Sequence, residues 1–502
     1  MPKNRRTTPP AWPTVFLSSA DISARVRRDV AAGRLREIGL RVYTTNMDEP
    51  LEAVVRRHLW RIVSLLAPEA TISARTALEA RPAEDGTVFL TGPARYERNL
   101  PGLRIRMSKG PAAQEGDRPF VDGLTLASVP RALLEVLLPG RKRTSSAARF
   151  MTDQEVEDWL EKTWQSGGEA ALNRLRDDAR RLAPALRAED ALKKLDRLVG
   201  IILGSRAGTP TVPTAIARLA GRPYDHDREL LFHTLFAALR GHAAESPQPV
   251  GTNASPAAFR TVAFFDAYFS NFIEGTEFEV DEAREIVFNG IIPTARPADA
   301  HDVLGTFAIV GDATWMRHST LQHDDFASFR ERLREAHARI LRERPDKRPG
   351  QFKLVANRAG DTRFVVPDLV EGTLQRGFEI ARALDTPFQR AAMLMFVLSE
   401  IHPFDDGNGR VARAFMNAEL VAENQTRVII PSVFRDDYLT GLRVLSRQHE
   451  PAPFLATLAF AQRVVARIDW SSYSAAESAL RRVHAFERPA SDIKLRLPEQ
   501  LV

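Results

Sequence analysis

The sequence predicts a mainly α protein with one β-hairpin in its C-terminal part and a smaller α/β module ahead of it. Three observations carry this. Segments at 264–273, 387–401, 408–422 and 475–486 show apolar residues at helical spacing. The runs 351–355 (QFKLV) and 362–366 (TRFVV), split by the turn-like 357–361, read as two strands and a turn. Near the start, 19–32 (SADISARVRRDVAA) reads as a helix stopped by Gly33, and 35–45 (LREIGLRVYTT) as a short hairpin.

Taken in order, the chain opens with a basic, Pro-rich stretch to Pro13. Helix then hairpin is how a winged helix-turn-helix ends. The stretch to about residue 140 includes 70–78 (ATISARTAL), 88–90 (VFL) and 123–132 (GLTLASVPRA), and it resembles AbiEi-type antitoxin and transcriptional-regulator proteins. That likeness implies a winged-helix regulatory module over 1–140, with Arg25, Arg27 and Arg28 approaching the phosphates or bases of DNA. Residues 141–250 read as a helical connector, with charged amphipathic helices at 171–182 and 188–203. The Gly-, Pro-, Ser- and Thr-rich stretches 206–213 and 243–256 read as linkers. The remainder divides into 251–318, 319–466 and a C-terminal helix and tail over 467–502.

The chemistry concentrates in 402–413 (HPFDDGNGRVAR). The upstream helix, 387–401, is apolar almost all round and delivers His402 at its end; a second helix starts near Asn408 or Gly409. Gly407 and Gly409 allow positive φ and close approach of a ligand, and the first N–H groups of the second helix make an anion site. Arg410 and Arg413 share one side of its first turn, where two cations work against the helix dipole and call for an anion. Asp406 can offer a carboxylate to Mg²⁺, which takes one or two carboxylates plus substrate phosphates. His402 is the candidate general base. Any one of these residues alone is ordinary in a loop. Together, at this spacing, they point to nucleotide chemistry.

The segment resembles the signature of the Fic (Fido) family, His-x-Phe-x-Asp/Glu-Gly-Asn-Gly-Arg-x-x-Arg, with every specified position filled. The likeness extends over roughly 255–465 and implies a Fic helical bundle with a hairpin flap that aligns a target by strand addition. It further implies transfer of AMP from ATP to a Ser, Thr or Tyr hydroxyl of a protein. On that reading His402 is the base, Phe404 anchors the loop and Asp406 holds Mg²⁺. Gly407, Asn408 and Gly409 cradle the α-phosphate region, Arg410 and Arg413 take the outer phosphates, and Val411 and Ala412 complete the nucleotide-binding stretch. Ser270-Asn271-Phe272-Ile273-Glu274-Gly275 resembles the family's inhibitory motif, in which the glutamate pairs with the second motif arginine, here Arg413. Ser270 and Glu274 share a side of one helix, and Gly275 caps it. A glutamate in a last turn opposes the helix dipole, a local rule violation of the kind that marks function.

Composition bounds the rest. With 502 residues and 44% hydrophobic content the chain can build more than one core. It has no cysteine, which removes disulfides, thiolate metal sites and cysteine nucleophiles. No signal peptide or membrane-spanning run is visible, so a cytoplasmic protein is expected. The net charge of +6 permits nucleic-acid contact without requiring it. The expected function is an autoinhibited protein adenylyltransferase using ATP and Mg²⁺ on a target protein, the chain itself included. Removal of AMP, or transfer of another phosphate-containing group, would use the same site. Outside the enzyme class stands a DNA-binding regulator whose Fic domain only senses nucleotide.

Overall fold

The computed structural model describes residues 12–68, 70–138, 148–241, 255–488 and 493–497. The chain divides after Ile216 into two compact units.

The first unit opens with a three-stranded antiparallel sheet in which Val42–Thr44 lies between Val15–Leu17 and Arg36–Gly39. The helix that precedes the hairpin runs Ser23–Ala31, shorter than its sequence pattern, because the Ser19 hydroxyl bonds the Asp21 carboxylate and keeps that stretch in a turn. Val26 is its buried residue, packed with Phe16 and Leu35. Of the three arginines expected to face DNA, Arg25 is folded back over the Trp12 ring at 4.0 Å, whereas Arg27 and Arg28 are exposed. A helix-turn-helix places a second helix across the first. Among the described residues, only one helix precedes this hairpin.

A six-stranded mixed sheet follows, its strand Thr87–Gly92 buried along its whole length and paired in parallel with Leu103–Lys109. Helices Val129–Leu137, Asp153–Leu186 and Glu189–Ile202 then share a core that includes Leu134, Leu160, Leu172, Leu195 and Leu198. The stretch read as a connector is therefore split: its early helices are packed into the first unit, and His226–Gly241 belongs to the second. Of the expected linkers, 206–213 lies just ahead of the division, while 243–254 falls outside the described residues.

In the second unit two helices form the centre. Pro387–Ile401 starts with a capping box between Thr386 and Gln389 and a proline in its first turn, and most of its side chains are buried. Asn408–Ala422 packs beside it, with Val411, Ala412, Phe415 and Ala418 in the shared core. Helix Pro256–Ile273 turns its aromatic face, Phe264, Phe265 and Phe269, into a second core with Trp470 and Leu480. The hairpin is present but short: only Arg358–Ala359 and Thr362–Arg363 pair. The expected strand 351–355 does not form. The Lys353 N–H is spent on Pro403 O, and Leu354 and Val355 turn outward, 75% and 74% exposed.

Candidate active site

Helix Pro387–Ile401 ends on His402, which takes the left-handed conformation, φ 53°, that usually falls to Gly or Asn. A strained cap of this kind persists only where its surroundings fix it. Here they do. The imidazole stacks on Phe364 at 3.8 Å, and Nδ1 lies 3.2 Å from the Ser399 carbonyl oxygen. A carbonyl can only accept, so Nδ1 carries the proton and Nε2 keeps a lone pair. Burial first, and the Lys353 charge after it, depress the His402 pKa to about 4 against the pull of Ser399, Glu274 and Asp406. At neutral pH this is an uncharged base.

The loop after it is held from inside. Phe404 is fully buried and stacks on His337 at 3.8 Å. The Asn408 side chain accepts from Phe404 N at 2.8 Å and donates to Phe404 O at 2.9 Å, so this asparagine closes the loop on itself. His337, buried and neutral, accepts at Nδ1 from Gly350 N–H at 2.8 Å and donates at Nε2 to Asp406 O at 3.1 Å. Gly407 has φ 70° and starts the second helix, whose first N–H groups have no intrahelical acceptor. The Asp406 carboxylate accepts from Gly407 N–H at 2.6 Å and remains 41% exposed.

Over this helix start lies Glu274. It follows helix Pro256–Ile273, with Gly275 at φ 90° behind it. A Cβ added to Gly409 would stand 2.2 Å from Glu274 Oε1, so the bare glycine is what lets the carboxylate sit in the anion cradle. Arg413 Nη2 donates to the same oxygen at 2.7 Å and to Ser270 O at 2.8 Å, and its Nε donates to Ser270 Oγ at 2.9 Å. Burial alone would raise the Glu274 pKa; Arg413, with help from Arg410, holds it below the usual carboxylate range. Ser270, Glu274 and Arg413 thus meet as the sequence expected.

Arg410 does not stand ready in the same way. Its Nη1 lies 2.8 Å from Asp302 and 3.3 Å from Asn271 Oδ1, and Asp302 is itself held by Arg344 at 2.7 Å. Both Arg410 and Asp302 are 3% exposed at the side chain. Val411 and Ala412 turn their side chains into the core, so neither can touch a ligand with them. Sequence reasoning missed Asp302 and His337, and also Tyr438, a buried tyrosine whose hydroxyl bonds with Arg413. None of the three carries a local signal: each is a polar residue on a helix face that becomes part of the site only through tertiary contact.

The Fic/DOC family model matches residues 328–420. A Fido domain-containing protein of Dictyostelium discoideum is 33% identical over 97 residues, which cover 68% of that protein and 18% of this chain. The chain belongs to the Fic/DOC family. Protein adenylyltransferase fic-1 of Caenorhabditis briggsae is 27% identical over 191 residues, and that of Caenorhabditis elegans 28% over 193. The match covers 37% of this chain and 37% of the length of each of these two relatives. A solved structure of Fic-1 from C. elegans aligns with 66% of this chain and 89% of its own at 20% identity and a TM-score of 0.36. The signature here runs between two helices, Pro387–Ile401 and Asn408–Ala422. Across this chain's signature lies the carboxylate of Glu274.

Proposed function

We propose that this chain is an autoinhibited protein adenylyltransferase. The observation that carries the reading is the Glu274 carboxylate, bonded to Arg413 and seated over Gly409, where an anion would otherwise meet the helix start. An acid is held at that place because the place is built for acids. With a nucleotide there instead, the hydroxyl oxygen of a target side chain attacks the α-phosphorus. The bond from that phosphorus to the bridging oxygen breaks, pyrophosphate leaves, and His402 Nε2 takes the hydroxyl proton. Arg413, released from Glu274, would pair with the outer phosphates.

Among the described residues no three His, Asp or Glu side chains gather as a metal site. Asp406 alone, half-exposed beside the cradle, fits Mg²⁺, which keeps several waters and binds through one or two carboxylates plus substrate phosphates. Bound there, the ion would offset phosphate charge. No described helix is long and apolar enough to cross a membrane.

The test is transfer itself. With Glu274→Gly protein, ATP labelled at the α-phosphate should leave label on protein and release pyrophosphate, and His402→Ala in that background should cut the rate by roughly 10² or more at similar ATP affinity. Label on protein from γ-labelled ATP but none from α-labelled ATP would make this a different phosphate transferase. Binding without pyrophosphate release would make it a nucleotide sensor.

The N-terminal unit is read as a DNA-contacting module on one observation, the exposed Arg27 and Arg28 on the helix ahead of the hairpin. The full chain should then retard duplex DNA at low salt and release it steeply as salt rises. No retardation at low salt removes this reading.

A further inference from the structure

Lys353 is 2% exposed, which for a lysine requires compensation. It stands just ahead of the short hairpin, in the segment expected as a strand. Its Nζ donates to Asn357 Oδ1 at 2.7 Å and to Ile401 O at 3.1 Å. Its backbone N–H donates to Pro403 O at 2.9 Å, and Asn357 Nδ2 donates to Phe404 O at 3.0 Å. The carbonyls on both sides of His402 are thus tied to one short segment. That segment also fixes the ring on which His402 rests: Phe364 N–H donates to Asn357 O at 3.3 Å, and Lys353 Nζ lies 5.9 Å from the Phe364 ring.

Among the described residues no carboxylate bonds the ammonium; its acceptors are a carbonyl and an amide. Asp405, the acid whose charge acts on it, is itself engaged by Arg348 at 2.9 Å. A cation held in this way next to a base does two things. It orders the backbone that carries the base, and it disfavours a second positive charge on the imidazole.

We propose that Lys353 is a positioning residue that, with Asn357, holds His402 in its left-handed pose and keeps it an unprotonated base. The inference rests on the role given to His402 above. The groups that act on the imidazole are Lys353, which disfavours its charge, and Glu274 and Asp406, which favour it. Burial, with Arg228 adding to it and Asp405 opposing, brings Lys353 itself down to about 7, so its own charge fades in the neutral range.

The experiment follows the His402 imidazole by NMR in the full-length chain, which reads its protonation without needing any transfer. Lys353→Gln keeps a donor and removes the charge. Its His402 midpoint should move up toward the ordinary imidazole value of about 6.5, while Lys353→Arg should leave it low. In the Glu274→Gly background, Lys353→Gln should shift the acid limb of the transfer rate to higher pH, and Asn357→Ala should lower kcat with little change in KM for ATP. Wild-type protein supplies a reading that no folding defect can spoil: the His402 signal should show a second inflection near neutral pH as Lys353 loses its charge. An unchanged midpoint in folded Lys353→Gln, or a wild-type curve with a single inflection, overturns the proposal. A shifted midpoint in a protein that transfers nothing would uphold the Lys353 effect and defeat the transferase reading instead.

Discussion

The two arginines of the signature sit one helical turn apart and are held in opposite ways. Arg413 is paired with a glutamate that is 26% exposed and lies at the end of a helix. Arg410 is paired with an aspartate that is 3% exposed and already shared with Arg344. The first pair lies over the start of the second helix with its acid partly open to solvent; the second is closed off from solvent on both sides. Two cations that look equivalent in sequence therefore stand in different settings: one is paired with a partly exposed acid, the other with a buried one.

Removing each partner should separate the two corners. Asp302→Ala leaves Arg410 buried without its close carboxylate and strips Arg344 of one partner, a loss of about 3–5 kcal/mol in denaturant unfolding. If the variant unfolds at the wild-type midpoint, the Arg410 corner is not the wall described here. Gly409→Ala comes next in size. Its methyl would meet Glu274, which can move, and Arg413 Nη1 at 2.9 Å, which is boxed in. In a Glu274→Gly background it should weaken ATP binding about tenfold, the loss of roughly one charge-assisted contact. Unchanged affinity by calorimetry would put the phosphates elsewhere. Glu274→Gln should cost under about 1 kcal/mol of stability, as half-open ion pairs do. A loss as large as that of Asp302→Ala would erase the distinction between the corners.

The smallest effect is a pH dependence that should be absent. Arg413 holds the Glu274 carboxyl below its unfolded value, so the stabilisation from this pair is full above the ordinary glutamate range of about 4.3 and is lost only as pH falls through the lower folded value. The ratio of Glu274→Gly to wild-type transfer should therefore hold constant between about pH 6 and about pH 8. A ratio that collapses within that window would place the release of the clamp on another group.

How much of this was legible in the sequence follows from where each residue's partners lie. The loop from His402 to Arg413 was readable because its chemistry is contiguous: helix end, glycines and helix start follow one another, and the local rules for each apply. Glu274 was readable because it breaks a local rule. The partner of Arg410 was not readable, because Asp302 belongs to a helix far upstream with nothing unusual in its pattern. The two bonds of the Asn408 side chain to the Phe404 backbone were not readable either, since a side-chain amide has many backbone groups within reach of a loop. The hairpin came out short for a similar reason: the Lys353 N–H, expected to pair across it, bonds to Pro403 O in the loop after His402. In the first unit the helix and hairpin over 19–45 were legible from turn residues and alternation, but the six-stranded sheet depends on pairings between distant short strands that no local pattern announces.

The central claim is that Glu274 occupies the place of the nucleotide's phosphates and that Arg413 is what it withholds. The most direct measurement is transfer from α-labelled ATP by wild type, Glu274→Gly and Glu274→Gly with Arg413→Ala, each shown to be folded. The account predicts low labelling by wild type, a gain of roughly tenfold or more on removing the carboxylate, and loss of that gain when Arg413 is also removed. Equal labelling by wild type and Glu274→Gly, or a gain that survives without Arg413, would contradict it.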